Sequence, residues 1–154
     1  MNKDKEFVPY EQALALKELG FDKPCFGYWR NENLPNPITI GQYTTKEDME
    51  YEISGQDEYH NFENIIALAP LYQQAFRWFR EKYELRNSIT DFIDDKTGIE
   101  WDYEIAIIGT DLDEKGNYKP LVDYSTDDET RKFKTYEEAE LACLIKLIEL
   151  VKNK

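Results

Sequence analysis

The stretch WDYEIAIIGTDLDEKGNYKPLVDY, residues 101–124, decides the fold because it has the pattern of two strands joined by a turn. Its ends, WDYEIAIIG and YKPLVDY, are rich in β-branched and aromatic residues and partly alternate between apolar and polar side chains, as strands do. The Asp, Gly and Asn residues between them supply the positive backbone angles and local side-chain hydrogen bonds of a hairpin connection. We therefore predict an antiparallel hairpin formed by residues 101–108 and 118–124.

The connection in this hairpin also has part of the pattern of a calcium-binding loop. An EF-hand loop carries oxygen ligands at alternate early positions, glycine at the sixth position and a bidentate glutamate at the twelfth. Asp111, Asp113 and Gly116 fit this spacing, but Lys115 occupies the fifth position and Val122 the twelfth. An ammonium group repels the cation, and valine offers no oxygen. Because the Cys and Cys/His spacings of zinc sites are also missing from the sequence, we predict no metal site and no cofactor.

The sequence on both sides of the hairpin predicts three helices and further strands. Thr135 and Glu138 form a capping box ahead of AELACLIKLIELVK, which predicts a helix over Tyr136–Lys152. Pro70 begins an amphipathic segment that reaches about Glu84, and a shorter helix follows Pro9. Further strands are predicted at Cys25–Trp29, 38–43 and 88–93. Together these elements predict an α+β fold with an antiparallel sheet of three or more strands and about three helices packed mainly on one face.

The length and charge of the chain limit its organisation and its partners. A chain of 154 residues suits one globular domain, with residues 1–6 as a disordered tail and residues 44–63 as an exposed acidic excursion. The net charge of -13 repels phosphate backbones and anionic lipid, so we expect no direct nucleic-acid binding. No apolar stretch resembles a membrane span or a signal peptide, and we expect no membrane association and a location in the cytoplasm of the host cell.

The acidic excursion is the first candidate binding surface. It contains Glu47, Asp48, Glu50 and Glu52 within a short span. A surface of this kind attracts a basic surface on another protein by electrostatic steering. We therefore predict that these four carboxylates contact a host protein with a basic surface.

A second candidate surface lies on the helix that follows Pro70. Arg77 and Arg80 lie on one helical face with Gln73, and arginine side chains bind phosphates and carboxylates in a bidentate geometry. A small anionic ligand is therefore a candidate partner. The alternative is that Arg77 pairs with Glu81, and Arg80 with Glu84, as i,i+4 ion pairs on a solvated face.

Trp29 and Arg30 form a third candidate surface at the end of a predicted strand. An aromatic ring and a guanidinium group at a strand end are suited to line a ligand or partner surface. The alternative is a strand buried on both faces, because CFGYW places aromatic residues on each side. The sequence shows no nucleophile motif, and its single histidine, His60, lies in the acidic excursion. We predict no catalytic residue.

Three segments together resemble small acidic proteins of tailed phages and prophages. The segments are ALALKELGFDKPCFGYW, APLYQQAFRWFREKYEL and TYEEAELACLIKLIELV. In the phage proteins that they resemble, a leucine-bearing helix ending in Gly-Phe is followed by an A-P-x-x-x-x-A-x-R-W-x-R helix and then by a Y-x-E-A-x-x-A helix. The resemblance covers most of the chain outside residues 38–64 and the hairpin loop. Because such proteins are mostly uncharacterised, it implies a mobile-element setting and transfers no catalytic residue.

These observations lead to one functional hypothesis and two alternatives. The hypothesis is a non-catalytic accessory protein of a phage or mobile element that binds a host protein or a small anionic ligand. The first alternative is an enzyme of unknown type that uses some of the many carboxylates. The second is an acidic DNA mimic that blocks a nucleic-acid-binding protein, which requires carboxylates as dense as duplex phosphates; only residues 44–63 approach that density.

Overall fold

The computed structural model describes residues 3–30, 33, 37–44, 66–124 and 132–153. Over these residues the chain forms an α+β fold whose strands all pair in an antiparallel manner, which confirms the predicted class. The helices are α1 (Tyr10–Glu18), α2 (Tyr72–Tyr83) and α3 (Tyr136–Lys152). The strands are β1 (Cys25–Trp29), β2 (Ile38–Thr44), β3 (Ala67–Leu68), β4 (Leu85–Asp94), β5 (Gly98–Leu112) and β6 (Tyr118–Tyr124). The chain divides into two compact units, residues 1–75 and 76–154.

In the first unit, β1 is the central strand. It pairs with β2 on one side and with the two-residue β3 on the other. Helix α1 begins after Pro9, buries Ala13 and Leu16, and is followed by Gly20, whose φ of 86° suits a residue without a side chain. The backbone N–H of Val8 donates to the carbonyl of Pro70 at 2.9 Å, so the segment before α1 is joined to the segment before α2.

In the second unit, β5 is the central strand, and helix α3 packs on β4 and β5. Strands β4 and β5 pair through ten consecutive positions, from Leu85 opposite Ile107 to Asp94 opposite Gly98, without a bulge. Beyond the end of β6, Phe133 exchanges two backbone hydrogen bonds with Trp101 of β5, at 2.8 and 2.9 Å. The apolar face of α3 is buried at Ala139, Cys143, Leu144, Leu147 and Ile148.

The predicted capping box of α3 is confirmed. The Thr135 side chain accepts from the Glu138 backbone N–H at 3.2 Å, and the Glu138 carboxylate accepts from the Thr135 N–H at 3.3 Å. These bonds satisfy backbone donors that have no partner within the first turn of a helix, which explains why the helix begins where the sequence predicts.

Two features differ from the sequence-based expectation. The strands form two sheets, one in each unit, where a single sheet was predicted, because strand pairing over long sequence separations has no signature in local periodicity. Residues Lys3–Glu6, predicted as part of a disordered tail, form one turn of 3-10 helix followed by a backbone bridge between Phe7 and Leu71. Residues 45–63 of the acidic excursion lie outside the described part of the chain, and the expectation of one domain stays a prediction.

Candidate functional site

The end of the β4–β5 hairpin presents the most exposed large apolar side chains among the described residues. Ile93 and Ile99 lie directly opposite each other across the two strands, and their exposed fractions are 79% and 60%. Directly opposed residues in an antiparallel pair share a face, so these side chains form one contiguous surface. Tyr136, at the start of α3, is also exposed. We name Ile93, Ile99 and Tyr136 the apolar tip.

Ile93 and Ile99 are exposed because α3 does not extend over the last pair on this face before the hairpin turn. The Tyr136 ring packs edge-on against Trp101, with 5.3 Å between ring centroids. Trp101 lies opposite Asp91, and the next pair toward the turn on the same face is Ile93 with Ile99. The capping box at Thr135 fixes the helix start at Tyr136, so the length of the hairpin carries this last pair beyond the helix.

The turn that closes the hairpin is fixed by the Asp94 carboxylate. Its Oδ1 atom accepts from the backbone N–H groups of Lys96 and Thr97, at 2.9 and 3.0 Å. These bonds lower the pKa of Asp94, with a smaller contribution from Lys132. Gly98 follows with a φ of 88°, a conformation that a residue with a side chain rarely adopts. The turn is therefore held by its own side chain and backbone.

A buried carboxylate, Glu100, braces the hairpin from its other face. Its exposed fraction is 3%, and its Oε1 atom accepts from the Thr97 hydroxyl and from Lys134 Nζ, the latter at 3.1 Å. Lys132 Nζ lies 3.8 Å from Glu100 Oε2 and 3.6 Å from Asp94 Oδ2. Lys132 thus joins the carboxylates of β4 and β5, and the backbone bridge at Phe133 places both lysines beside β5.

The electrostatics of this cluster keep Glu100 ionised. The hydrogen bond from Thr97 is the largest cause of its lowered pKa, burial acts in the opposite direction, and Lys134 and Lys132 lower the pKa further. Its Oε2 atom has no hydrogen-bond partner among the described residues. A carboxylate with a lowered pKa is a poor proton donor near neutral pH. The cluster is therefore suited to holding the hairpin rigid rather than to acid catalysis.

The three residues of the second candidate surface lie on one face of α2, and their role in binding a ligand stays a prediction. Gln73, Arg77 and Arg80 are all exposed. Arg77 Nε donates to Glu81 Oε1 at 2.8 Å, which is the i,i+4 pair weighed as the alternative to a ligand site. Arg80 forms no ion pair with Glu84 in the described structure. The helix ends at Tyr83, and Glu84 has a φ of 58°, which removes it from the helical i+4 position.

Trp29 lies in the core, and its predicted role in a ligand or partner surface stays a prediction. Its exposed fraction is 5%, its Nε1–H donates to the Val8 carbonyl at 3.2 Å, and its ring packs edge-on against Tyr10. The alternative reading, a strand buried on both faces, fits this placement. Arg30 is half-buried, and its charge lowers the pKa of Tyr28 against the larger raising effect of burial.

The remaining predicted site residues are distributed differently. Glu47, Asp48, Glu50 and Glu52 lie outside the described residues. The loop weighed as a calcium site is a hairpin connection, as predicted: Asp113 Oδ1 accepts from the backbone N–H groups of Lys115 and Asn117, both at 2.8 Å. Asp113 Oδ2 accepts from the Asn117 side chain at 3.3 Å. These bonds lower the pKa of Asp113, and they occupy both oxygens of its carboxylate within the loop.

The sequence analysis did not predict the apolar tip or the buried Glu100 carboxylate on the other face of the hairpin. Ile93 was assigned to a predicted strand, but its exposure depends on where α3 begins relative to the hairpin end, which no local pattern shows. A signal was present in IDDKTGIE, residues 93–100, where a turn sequence is flanked by two isoleucines. Pairing Asp94 with Gly98 across that turn places the two isoleucines opposite each other.

None of the helices in the described part of the chain has the length and apolar character needed to cross a membrane. Comparison with protein-family models, with curated proteins and with solved structures returned no match.

Proposed function

We propose that this chain is a non-catalytic accessory protein of a phage or mobile element, and that it binds a host protein through the apolar tip. The observation that carries the proposal is the opposed pair Ile93 and Ile99, exposed by 79% and 60% at the end of a hairpin. Contiguous apolar side chains are costly to expose in water, and they are enriched where proteins associate.

The rigidity of the hairpin supports binding through this surface. Asp94 fixes the turn, and Glu100, Lys132 and Lys134 hold the two strands and the segment before α3 together. A surface that is already ordered loses little conformational freedom on association, so more of its contact energy contributes to affinity. The mobile-element setting comes from the sequence resemblance alone.

Charge favours a protein over a small anion as the partner. The net charge of -13 attracts a basic protein surface over long range. On α2, the ion pair between Arg77 and Glu81 already occupies one of the two arginines proposed to hold an anion. Competition from Glu81 weakens that site relative to two free guanidinium groups.

A crosslinking experiment in the host cell tests this proposal. A photoreactive amino acid is placed at position 93, and in a matched control at Glu104, an exposed position on the opposite face of β5. We expect a host protein crosslinked from position 93 and not from position 104, identified by mass spectrometry. In affinity capture without a crosslinker, the same partner should be lost from the variant Ile93→Ser with Ile99→Ser. It should be retained by the variant Arg77→Ala with Arg80→Ala. Loss of this partner in the arginine variant alone would instead place the contact with the host protein on α2.

A further inference from the structure

The outer edge of β4 is unpaired over the whole strand in the described structure. Strand β4 pairs with β5 on one side and is the terminal strand of its sheet. In an antiparallel pair, alternate residues direct both their N–H and C=O groups away from the partner strand. None of these outward backbone groups in residues 85–94 bonds to a described residue.

The β4 edge lacks several of the features that normally prevent strands from associating, because it is long, unbulged and free of proline and lysine, although Arg86, Asp91 and Asp94 are charged. Protective edges are short, bulged, or interrupted by proline and lysine. Strand β4 is ten residues long, keeps an unbroken register with β5, and has the sequence LRNSITDFID. Its central residues, from Asn87 to Thr90, carry no charge. An edge of this kind is a template for the addition of another strand.

The side-chain sequence of β4 is complementary to itself in one antiparallel register. In a twofold arrangement centred on Ile89, Leu85 faces Ile93 of the second copy, and Asn87 faces Asp91. On the other face of the sheet, Arg86 faces Phe92 and Ser88 faces Thr90. Apolar residues thus meet apolar residues, an amide meets a carboxylate, and a guanidinium group meets an aromatic ring. Centring the axis on Asp91 would place two aspartates opposite each other, which is unfavourable.

We infer that the partner of this edge is a second copy of the chain, added as an antiparallel strand about a twofold axis at Ile89. Such an interface uses the same surface on both copies and closes at a dimer. Ile93 belongs to both surfaces, because it faces Leu85 of the second copy in this register and is also part of the apolar tip, so the two interactions share this side chain. The inference does not depend on the proposed function.

An engineered disulfide tests the register. Opposed residues in an antiparallel pair have Cα atoms about 4.5–5.5 Å apart, which is within the range of about 4.4–6.8 Å for a disulfide. Under mild oxidation Ile89→Cys should form a covalent dimer, whereas the control Arg86→Cys should not, because the two copies of position 86 lie far apart. The native thiols do not interfere, since burial raises the pKa of both Cys25 and Cys143 to about 12.

A charge-repulsion variant tests the dimer without a crosslink. Ser88→Lys with Thr90→Lys places each new ammonium group opposite another across the proposed axis, at two exposed positions. The matched control, Gln73→Lys with Asn153→Lys, adds the same charge at exposed positions elsewhere. Light scattering after size-exclusion chromatography should give twice 18.3 kDa for the wild type and the control, and 18.3 kDa for the β4 variant.

Two results would overturn the inference. One is a monomeric wild type at every concentration up to the high micromolar range. The other is a dimer that persists in the Ser88→Lys, Thr90→Lys variant and gives no disulfide with Ile89→Cys, because such a dimer uses another surface.

Discussion

At the scale of single residues, Glu100 supports the hairpin that carries the apolar tip, although its own side chain is buried. Its side chain lies under the hairpin, bonded to Thr97 and Lys134, while the apolar residues of the tip point from the opposite face. Burial of a charge is unfavourable without such partners, and their hydrogen bonds offset part of that cost. The exposed tip therefore depends on a carboxylate that is itself buried.

The Thr97 hydroxyl should make stability depend on pH through Glu100. The folded pKa of Glu100 is below its ordinary value of 4.5, so its stabilising effect is complete above that value and is lost as pH falls through the lower folded pKa. Thr97→Val removes the largest cause of this shift and also one of the bonds that lower the pKa of Asp94. Urea unfolding should show a lower stability near neutral pH and a smaller further loss near pH 3 than in the wild type.

Thr90→Val is the matched control, because Thr90 is an exposed threonine of the same hairpin that bonds to no described side chain. It should leave both the stability and its pH dependence close to those of the wild type. Equal acid sensitivity in wild type and Thr97→Val would mean that this hydroxyl does not control the carboxylate.

At the scale of elements, α3 is defined by two separable contributions, its cap and its buried face. The capping box determines where the helix begins, and its apolar residues determine how it packs on β4 and β5. Leu144 and Leu147 are completely buried, whereas Ile145 on the same helix is exposed. Most of the free energy that holds the helix should therefore come from packing.

Substitutions in α3 should separate the cap from the core. Thr135→Ala should destabilise the protein by about 0.5–2 kcal/mol through loss of the cap. Leu144→Ala or Leu147→Ala should each cost about 2–5 kcal/mol, because each removes buried methyl groups and leaves a cavity. Ile145→Ala is the control and should have an effect of less than about 1 kcal/mol. The measurement is urea unfolding, and equal effects at positions 144 and 145 would contradict the assigned buried face.

The elements with local signals could be predicted from the sequence, and their assembly could not. Strand β1 and helix α3 have the predicted bounds, because turn residues and a capping box mark their ends. Strand β4 is longer than the predicted 88–93, since its ten-residue pairing with β5 is set by the partner strand. The burial of Trp29 could not be predicted, because alternation along a strand does not show which faces are covered. The exposure of Ile93 depends on the relative lengths of a hairpin and a helix, which are distant in sequence.

At the scale of the whole molecule, ion pairing leaves the excess of acidic residues unchanged, because each pair removes one cation together with one carboxylate. Lys132 and Lys134 neutralise carboxylates of the hairpin, Arg77 pairs with Glu81, and Lys146 pairs with Glu149. These cations contribute little to attracting a negatively charged partner. The net charge of -13 is therefore expected to act mainly on basic partners.

The charge of the acidic excursion should affect the rate at which the partner binds more than the folding of the chain. Replacing Glu47, Asp48, Glu50 and Glu52 with their amides reduces the negative charge by four. Association with the partner captured from position 93 should slow, and its rate should depend less on salt concentration, because peripheral charges act on the encounter step. Rates at two salt concentrations, with melting temperature as the check on folding, measure this. An unchanged salt dependence would assign the steering charges to other residues.

The two buried thiols give each unit its own reporter of opening. Cys25 lies in the first unit and Cys143 in the second, both are fully buried, and neither forms a disulfide. A thiol with a pKa of about 12 is almost entirely protonated near neutral pH, so an alkylating reagent reacts with it only when the surrounding structure opens. The alkylation rates of the two cysteines, measured separately by peptide mass, therefore give the free energy of opening of each unit. Equal free energies would mean that the two units open together, and different ones that they open separately.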